Sequence, residues 1–241
     1  ASKNISSSEF KKRNESEMFE VIDLPYIIPE LRDDTEILVQ AQKDKLPTSI
    51  KLQDIKGDLH MHSDWSDGKF TIEEMAKACQ NRGYQYLAIC DHTQTLTIAG
   101  GLTPDELNKQ IEKINQLNQK LDITILSGAE VDILETGLDY PDEILRKLDL
   151  VTASIHSGFN DSQDKIMNRI NRALENPNVN VLGHPTWRLI LKREPYNINV
   201  EELIKKAVKT KTILEINSSP WRLDLNAKHV KLASELGAKF V

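Results

Sequence analysis

Residues 86–92 read Tyr-Leu-Ala-Ile-Cys-Asp-His, a short apolar run that ends in an acid and a histidine. Comparable apolar runs recur near residues 58–62, 123–131, 150–155, 179–182 and 212–216. Between them lie helical patterns near residues 71–79, 104–121, 199–209 and 227–236. The first of these helices opens with a capping box made by Thr71 and Glu74. This alternation of strand and helix predicts a parallel α/β sheet, either open or closed into a barrel.

Five of the six histidines end or follow a predicted strand, and they are His60, His62, His92, His156 and His184. Glu130 ends the third run in the same way, and Asp67 lies just beyond the first. Because the carboxyl ends of parallel strands lie on one face of a sheet, these seven side chains are expected to converge. His60 and His62 are alternate strand residues, which point the same way about 6.6 Å apart.

This convergence predicts a metal centre, although each residue taken alone could instead have a structural role. A single buried histidine is more often a hydrogen-bonded core residue, and two histidines separated by one residue form a weak motif. Five histidines and a glutamate that each end a predicted strand are hard to obtain in that way. His229 lies within a predicted helix, serves as the internal control, and is assigned no role.

The types of candidate ligand indicate which ions would bind. A mixed set of imidazoles and carboxylates suits Zn²⁺, Mn²⁺ or Fe²⁺ better than Ca²⁺ or Mg²⁺ alone, which prefer oxygen ligands. Seven candidate ligands are more than one ion needs, so we expect two or three ions with Glu130 as a bridging carboxylate. Ions about 3.5–4 Å apart are used for in-line displacement at phosphorus.

The composition narrows the class of protein. The 241 residues include 31 Lys and Arg against 37 Asp and Glu, a net charge of −6, which excludes a generally basic nucleic-acid coat. No apolar run approaches the ~18 residues of a membrane helix, and residues 1–8 lack the apolar core of a signal peptide. With only two cysteines, no disulfide framework is expected, and we expect a cytoplasmic location without a membrane partner.

Residues 1–55 lack the alternating strand and helix patterns of the rest of the sequence. We predict an arm or linker there, followed by one domain over residues 56–241. Pro25 and Pro29 exclude a continuous helix in the arm, and a short helix is predicted within residues 33–45. For residues 1–15, a leader without fixed structure is an equal alternative.

Six motifs resemble, in order, those of the PHP (polymerase and histidinol phosphatase) domain. They are His60-Met-His62, Ser66-Asp67-Gly68, Cys90-Asp91-His92, Gly128-Ala-Glu130, Ser154-Ile-His156-Ser157 and Gly183-His-Pro185. More narrowly, residues 153–159, 182–186 and 214–224 are similar to the version at the C-terminus of bacterial family X DNA polymerases, and residues 24–32 to the linker before it. The resemblance covers roughly residues 18–241.

The resemblance implies an α/β fold, a distorted (β/α)7 TIM-like barrel with an N-terminal arm, that holds three divalent ions. By resemblance, the first ion is held by His60, His62 and Glu130, the second by Glu130, His156 and His184, and the third by Asp67 and His92. Mn²⁺ or Zn²⁺ is expected, with Fe²⁺ as a further candidate.

Two departures from the family pattern stand out. Trp187 occupies a position, after His-Pro-Thr, where the family usually has a small residue, and it is expected to narrow the substrate cleft. Residues 238–241 look like the start of the last family strand, whose Asp-x-His motif completes the first and third ions. The barrel is therefore expected to be truncated before its last strand, at the C-terminal side of residues 56–241.

The activity implied by the resemblance is metal-dependent hydrolysis of phosphodiester bonds in DNA, as a 3′–5′ exonuclease that processes ends in DNA repair. The candidate catalytic residues are Glu130, His156, Arg188 and Arg222. The two arginines are expected to steady phosphate oxygens, and a solvated surface charge is the alternative for each.

The expected partners are DNA 3′ ends, single-stranded or gapped, and the polymerase domains of a longer parent chain that is also a DNA-directed DNA polymerase. Two other functions stay open. One is a small-molecule phosphomonoesterase of the histidinol phosphatase type, against which the linker-like residues 24–32 weigh. The other is a catalytically inactive scaffold, which is disfavoured because every ligand position up to residue 241 is filled.

Overall fold

The computed structural model describes residues 14–32 and 35–241. Its internal contacts divide the chain into two compact units, residues 1–54 and residues 55–241. The alternative of a leader without fixed structure over residues 1–15 concerns positions that, except for 14 and 15, lie outside the described residues.

Among its described residues, the smaller unit contains two short helices, α1 over Glu15–Val21 and α2 over Glu36–Gln42. Helix α2 confirms the helix predicted within residues 33–45, and Pro29 begins a 3₁₀ turn over Pro29–Leu31. Helix α1 lies where no helix is predicted, and it begins at a capping box between Asn14 and Glu17. Within residues 14–32 and 35–54, the buried apolar cluster consists of Ile27, Ile37 and Ala41.

The larger unit is built around six parallel strands that pair in chain order. The strands are β1 (Gly57–Met61), β2 (Tyr86–Ile89), β3 (Thr124–Asp132), β4 (Leu150–Ser154), β5 (Val181–Leu182) and β6 (Ile213–Leu214). Within residues 55–241, all of which are described, six α-helices accompany them: α3 (Ile72–Asn81), α4 (Pro104–Asn118), α5 (Asp142–Leu145), α6 (Gln163–Leu174), α7 (Val200–Thr210) and α8 (Ala227–Glu235). All six predicted strands are present.

The strands curl into a half-barrel with helices, which confirms the predicted α/β architecture of an incomplete TIM-like barrel. The chain continues this pattern beyond α8, where Phe240 forms a parallel bridge with Leu214 of β6. The amide of Val241 donates to the carbonyl of Leu214 at 3.1 Å. These contacts confirm the strand-like character predicted for residues 238–241.

Helices α3 and α4 hold the first half of the sheet by burying an apolar face against it. Ile72 of α3 and Ile114 of α4 are 2% and 1% exposed, in the same cluster as Leu87 and Ile125 of the strands. Each such aliphatic side chain stabilises the fold by roughly 1.5–3 kcal/mol when fully buried. The predicted capping box of α3 is confirmed, because the Glu74 amide donates to Thr71 Oγ1 at 3.2 Å. The outer face of the sheet is thus fixed, and with it the positions of the strand ends.

Within residues 55–241, the structure contains the predicted helices and two further helices that were not predicted. Four predicted helices are found as α3, α4, α7 and α8, whereas α5 and α6 lie where the analysis predicts none. In α6, Ile166, Ile170 and Leu174 are buried at helical spacing, so its sequence carried the usual signal. No helix in residues 14–32 or 35–241 is long and apolar enough to cross a membrane.

Candidate metal centre

A cavity of about 490 Å³ lies where the strands end. All seven predicted ligands line it, namely His60, His62, Asp67, His92, Glu130, His156 and His184. The other lining residues are Leu96, Ile98, Ala99, Trp187, Asn217 and Arg222. The parallel topology therefore brings together side chains that are widely separated in the sequence. Their role as metal ligands stays a prediction.

Glu130 lies at the centre of this group, and it is 1% exposed. Its Oε1 atom is 2.7 Å from His184 Nε2 and 3.2 Å from His156 Nε2. Its Oε2 atom is 3.3 Å from His60 Nε2, 3.4 Å from His62 Nε2 and 3.2 Å from His92 Nδ1. One carboxylate thus faces five imidazoles, which is the position that a bridging ligand requires.

The backbone around Glu130 and His184 explains why the rings can come so close. The amide of Glu130 donates to the carbonyl of Asp91 at 3.1 Å, which ties the end of β3 to the residue before His92. At Gly183, a Cβ atom would lie 2.4 Å from Ser154 Oγ, so only glycine fits between β4 and β5. The next residue, His184, has a φ of 26°, an uncommon conformation for a non-glycine residue.

Several ring nitrogens in the cavity have no hydrogen-bond partner. These buried atoms are His60 Nε2, His62 Nδ1, His92 Nδ1 and His184 Nδ1. Buried polar atoms in folded proteins are nearly always partnered, so a cluster of orphaned nitrogens calls for an explanation. A divalent cation supplies one, because an imidazole nitrogen with a free lone pair is a common metal ligand.

The donor atoms also lie close enough together to share cations. Three groups have one donor atom per residue, all within 4.8 Å of one another: His60, His62 and Glu130; His62, Asp67 and His92; His92, Glu130 and His156. Their nitrogen and carboxylate donors suit Zn²⁺, Mn²⁺ or Fe²⁺. The residues present therefore fit the divalent cations expected from the sequence.

Glu215, at the end of β6, stands behind two of the histidines and was not predicted as a site residue. Its Oε1 atom lies 2.8 Å from His60 Nδ1, and its Oε2 atom accepts the backbone N–H of His184. A carboxylate bonded to the far nitrogen of an imidazole fixes the orientation of the ring and makes it a stronger ligand. The feature of the sequence that could have identified Glu215 is its position at the end of a predicted strand.

Asp132 and Asp91 are two further carboxylates that sequence reasoning did not select. Asp132 pairs with Nδ1 of His156, in the way that Glu215 pairs with His60. It follows Glu130 by two residues in β3, so both point to the same side of the strand. Asp91 accepts from the Ser63 amide at 2.7 Å and from Ser66 Oγ at 2.5 Å. It thereby anchors the loop that carries Asp67.

The electrostatics of the cavity favour cations around Glu130. Burial would raise the pKa of Glu130, but His60 and His184 hold it well below the usual value. Burial also works against the charged form of His60, yet Glu130 and Glu215 raise its pKa well above normal. By contrast, burial lowers the pKa of His92 to about 4. Glu130 is therefore ionised and His92 neutral near pH 7, which are the forms that bind metal ions.

Asp67 differs from Glu130 in its surroundings. Its side chain is 51% exposed, and its oxygens lie 3.5 Å from His62 Nδ1 and 3.7 Å from His92 Nε2. Gly68 beside it is obligatory, because a Cβ atom there would lie 2.1 Å from the His62 carbonyl oxygen. Asp67 is thus a carboxylate on a tightly turned loop at the open side of the cavity.

The structure separates the two arginines predicted to contact phosphate. Arg222 lines the cavity, whereas Arg188 does not. Arg188 Nε instead donates to the carbonyl of Arg222 at 2.7 Å, and its Nη2 donates to the carbonyl of Leu223. His229 lies in α8 and does not line the cavity, as expected of the control.

Comparison with known proteins gives two kinds of relative. A DNA polymerase/3′–5′ exonuclease PolX from Bacillus subtilis (strain 168) is 47% identical over 230 residues, covering 95% of this chain and 40% of that protein. The chain thus spans about two fifths of that relative. A probable phosphatase from Thermoanaerobacter sp. (strain X514) is 30% identical over 195 residues, covering 76% of this chain and 75% of that protein. Another probable phosphatase, from Caldanaerobacter subterraneus, is 32% identical over 171 residues, covering 68% of this chain and 63% of that protein.

The family model described as the PHP domain matches residues 58–219. This range includes all seven predicted ligands together with Glu215 and Trp187. It also covers well over half of the chain. The chain therefore belongs to the PHP domain family.

Proposed function

We propose that this chain hydrolyses phosphodiester bonds at the 3′ ends of DNA in a reaction that depends on divalent cations. The observation that carries the proposal is the arrangement around Glu130, where five imidazoles, four of them with an orphaned nitrogen, line one cavity with Arg222. Mn²⁺ and Zn²⁺ are the proposed ions. The ligand sets are those expected from the sequence: His60, His62 and Glu130; Glu130, His156 and His184; Asp67 and His92.

The chemistry that divalent cations supply at such a site is charge stabilisation at phosphoryl oxygens and a water of lowered pKa. The chain's own residues prepare the site for it. Glu215 orients His60, and Asp132 orients His156, so both rings present a fixed nitrogen to the cavity. Glu130 and His156 are proposed as catalytic residues because they would hold the ions beside the reacting phosphate.

Arg222 is the proposed phosphate ligand supplied by the protein itself. Its guanidinium lines the cavity, and its Nη1 atom is buried without a hydrogen-bond partner. A planar guanidinium can donate two parallel hydrogen bonds to a phosphate and is always charged. Arg188 holds the carbonyl of Arg222, so we now assign it a positioning role instead of a catalytic one.

DNA is the proposed substrate because the relative that matches 95% of this chain is described as a polymerase and 3′–5′ exonuclease. On this view, residues 1–55 are the arm that leads from polymerase domains, and residues 56–241 are the phosphoesterase domain. Repair of DNA ends and a cytoplasmic location also stay predictions. A small-molecule phosphomonoesterase is the second candidate, since relatives at 30% and 32% identity are described as phosphatases.

The test compares the hydrolysis of three substrates by the wild-type chain and by two histidine variants. The purified chain, loaded with Mn²⁺, is given 3′-labelled single-stranded DNA, gapped DNA and a phosphorylated amino alcohol. We expect release of nucleotides from DNA, abolished by His60→Ala and unchanged by His229→Ala, the matched histidine control outside the cavity. Cleavage retained by His60→Ala, or hydrolysis of the monoester alone, would contradict the proposal. Elemental analysis showing less than one ion per chain would favour the inactive scaffold.

A further inference from the structure

Two loops meet at one side of the cavity, and we call them together the lip, residues 186–194 after β5 and residues 217–224 after β6. The amide of Ile190 donates to the carbonyl of Trp221 at 2.8 Å, and Arg188 donates to the carbonyl of Arg222. The lip is thus one connected structure, although its two parts are separated in the chain by helix α7.

Trp187 is the centre of the lip on the cavity side. Its ring stacks on Phe159 with centroids 5.2 Å apart and meets His156 edge-on at 5.0 Å. Two guanidinium groups lie over the same ring, with Cζ of Arg193 at 4.2 Å and Cζ of Arg222 at 4.6 Å from the centroid. The indole, which lines the cavity, therefore holds two positive charges: Arg222 also lines the cavity, whereas Arg193 is not among the lining residues.

The backbone at Trp187 has an unusual conformation. Its φ is 58°, in the left-handed region that bulky residues rarely adopt and that glycine adopts freely. Backbone strain of this kind costs about 1–3 kcal/mol and tends to persist at functional sites. A large ring thus occupies a position where the main chain would favour glycine.

The two guanidiniums lack an anionic partner. In the described part of the chain, neither Arg193 nor Arg222 forms an ion pair with a carboxylate. Arg193 Nε donates to the carbonyl of Trp187 at 2.9 Å, which leaves its two terminal nitrogens free to bind a ligand. Burial and the neighbouring Arg222 lower the pKa of Arg193 from its usual value. An anion between or beside the two groups would relieve their repulsion.

We propose that Arg193, held in place by Trp187, binds the phosphate next to the one that is cleaved, while Arg222 serves the cleaved phosphate. This inference rests on the proposed function and names its selectivity: the site prefers a strand with at least two successive phosphates to a small ester with one. Arg193 is a substrate-binding residue in this account. Trp187 is a positioning residue, because its ring contacts both guanidiniums and its effect passes through them.

Binding is tested first, without requiring turnover. The probe is a dye-labelled single-stranded oligothymidylate with phosphorothioate linkages at its 3′ end, titrated with the Mn²⁺-loaded chain over a range of salt concentrations. Arg193→Ala should weaken binding roughly tenfold, the effect of losing one charged hydrogen-bond partner. It should also reduce the slope of log K against log salt by about 0.7, the value for one phosphate contact on a single strand.

Lys192→Ala is the matched control, because it removes the same charge from the adjacent position of the same loop. Lys192 lies over the exposed ring of Trp221 at 5.5 Å, not over Trp187. We expect this variant to bind the oligonucleotide within about twofold of the wild type. An Arg193→Ala variant that binds no more weakly than Lys192→Ala would overturn the inference.

Trp187→Gly distinguishes positioning from mere structural damage, because glycine suits the φ of 58° at this position. It should weaken oligonucleotide binding at least as much as Arg193→Ala, because the ring also holds Arg222, and the double variant should be little worse than Trp187→Gly alone. Additive losses would show that Trp187 does not act through Arg193.

Turnover separates this inference from the proposed function. With bis(4-nitrophenyl) phosphate, a diester that carries a single phosphate, Arg193→Ala should lose several-fold less kcat/KM than it loses with the oligonucleotide. If the wild-type chain hydrolyses neither substrate, the proposed function fails, while the binding comparison of Arg193→Ala with Lys192→Ala still decides the phosphate site. Equal losses on the small diester and the oligonucleotide would contradict the selectivity.

Discussion

The cavity has two sides that are built differently, and we call the first the floor, meaning Glu130 and the five histidines around it. The floor lies at strand ends that are fixed by sheet hydrogen bonds, and Glu130 is 1% exposed. The lip consists of loops with positive φ at Trp187, Leu191 and Leu223. Leu191 and Trp221 of the lip are exposed.

This difference separates two tasks. Ligands for cations must be held to within a fraction of an ångström, and residues on strands backed by carboxylates such as Glu215 meet that requirement. A surface that receives a strand of DNA needs reach and charge, which loops on a rigid scaffold provide. Changes in the floor should therefore alter metal content and turnover together, whereas changes in the lip should leave the metal content unchanged and alter the binding of substrate.

The largest effect is expected from Glu130→Gln, which breaks the floor. A neutral amide cannot bridge cations, so the metal content should fall by at least one ion per chain. Hydrolysis should fall by more than the 10–100-fold typical of a residue that only supports a ligand. Elemental analysis after dialysis and a 3′-end release assay measure the two quantities.

The control for this change is Glu201→Gln, an exposed glutamate of α7 that bonds to Lys205 at 2.6 Å. It should keep wild-type metal content and activity. Circular dichroism should show both variants folded. Full metal content in Glu130→Gln would show that the cations bind without this carboxylate, which contradicts its central role.

A smaller effect is expected from Glu215→Gln, which leaves the ligands in place but weakens the support of His60. Glutamine keeps a hydrogen bond to His60 Nδ1 or to the His184 amide but loses the negative charge that both groups share. Metal affinity should fall about 10–100-fold, the range seen for such outer partners. Competition with a chelating dye measures the affinity, with Glu201→Gln again as the control. Unchanged affinity would mean that the sheet alone orients His60.

The floor could be predicted from the sequence because its signal is local. Each histidine and Glu130 ends an apolar run, and parallel topology guarantees that such ends meet. The supporting carboxylates were harder to find. Asp132 and Glu215 also lie at strand ends, but only the folded structure shows that they face ring nitrogens instead of the cavity.

The lip could not be predicted in the same way. The sequence shows basic residues near His184, but the direction of each guanidinium depends on contacts between loops that are 34 residues apart, such as Arg188 with Arg222. The short helices α1 and α5 were missed for a related reason, since segments of seven and four residues carry too little periodicity to stand out.

The smallest effect is expected from Arg188→Ala. This variant tests most directly whether the lip can be changed without changing the floor. Arg188 ties the two loops of the lip together by donating to the carbonyls of Arg222 and Leu223. Without it, the free energy of unfolding should fall by about 1 kcal/mol, and oligonucleotide binding should weaken about threefold, because Arg222 is held less firmly. The metal content should stay unchanged, since the floor is untouched, and kcat on bis(4-nitrophenyl) phosphate should fall by no more than about the same threefold.

Arg146→Ala is the control for this change, because Arg146 is exposed and its nearest carboxylate, Glu143, lies 3.8 Å away. It should alter neither binding nor unfolding measurably. If Arg188→Ala instead lowers kcat on the small diester far more than threefold while the oligonucleotide KM stays constant, Arg188 contacts the reacting phosphate. That result would return Arg188 to the catalytic role expected from the sequence, and the division of labour between floor and lip would have to be redrawn around it.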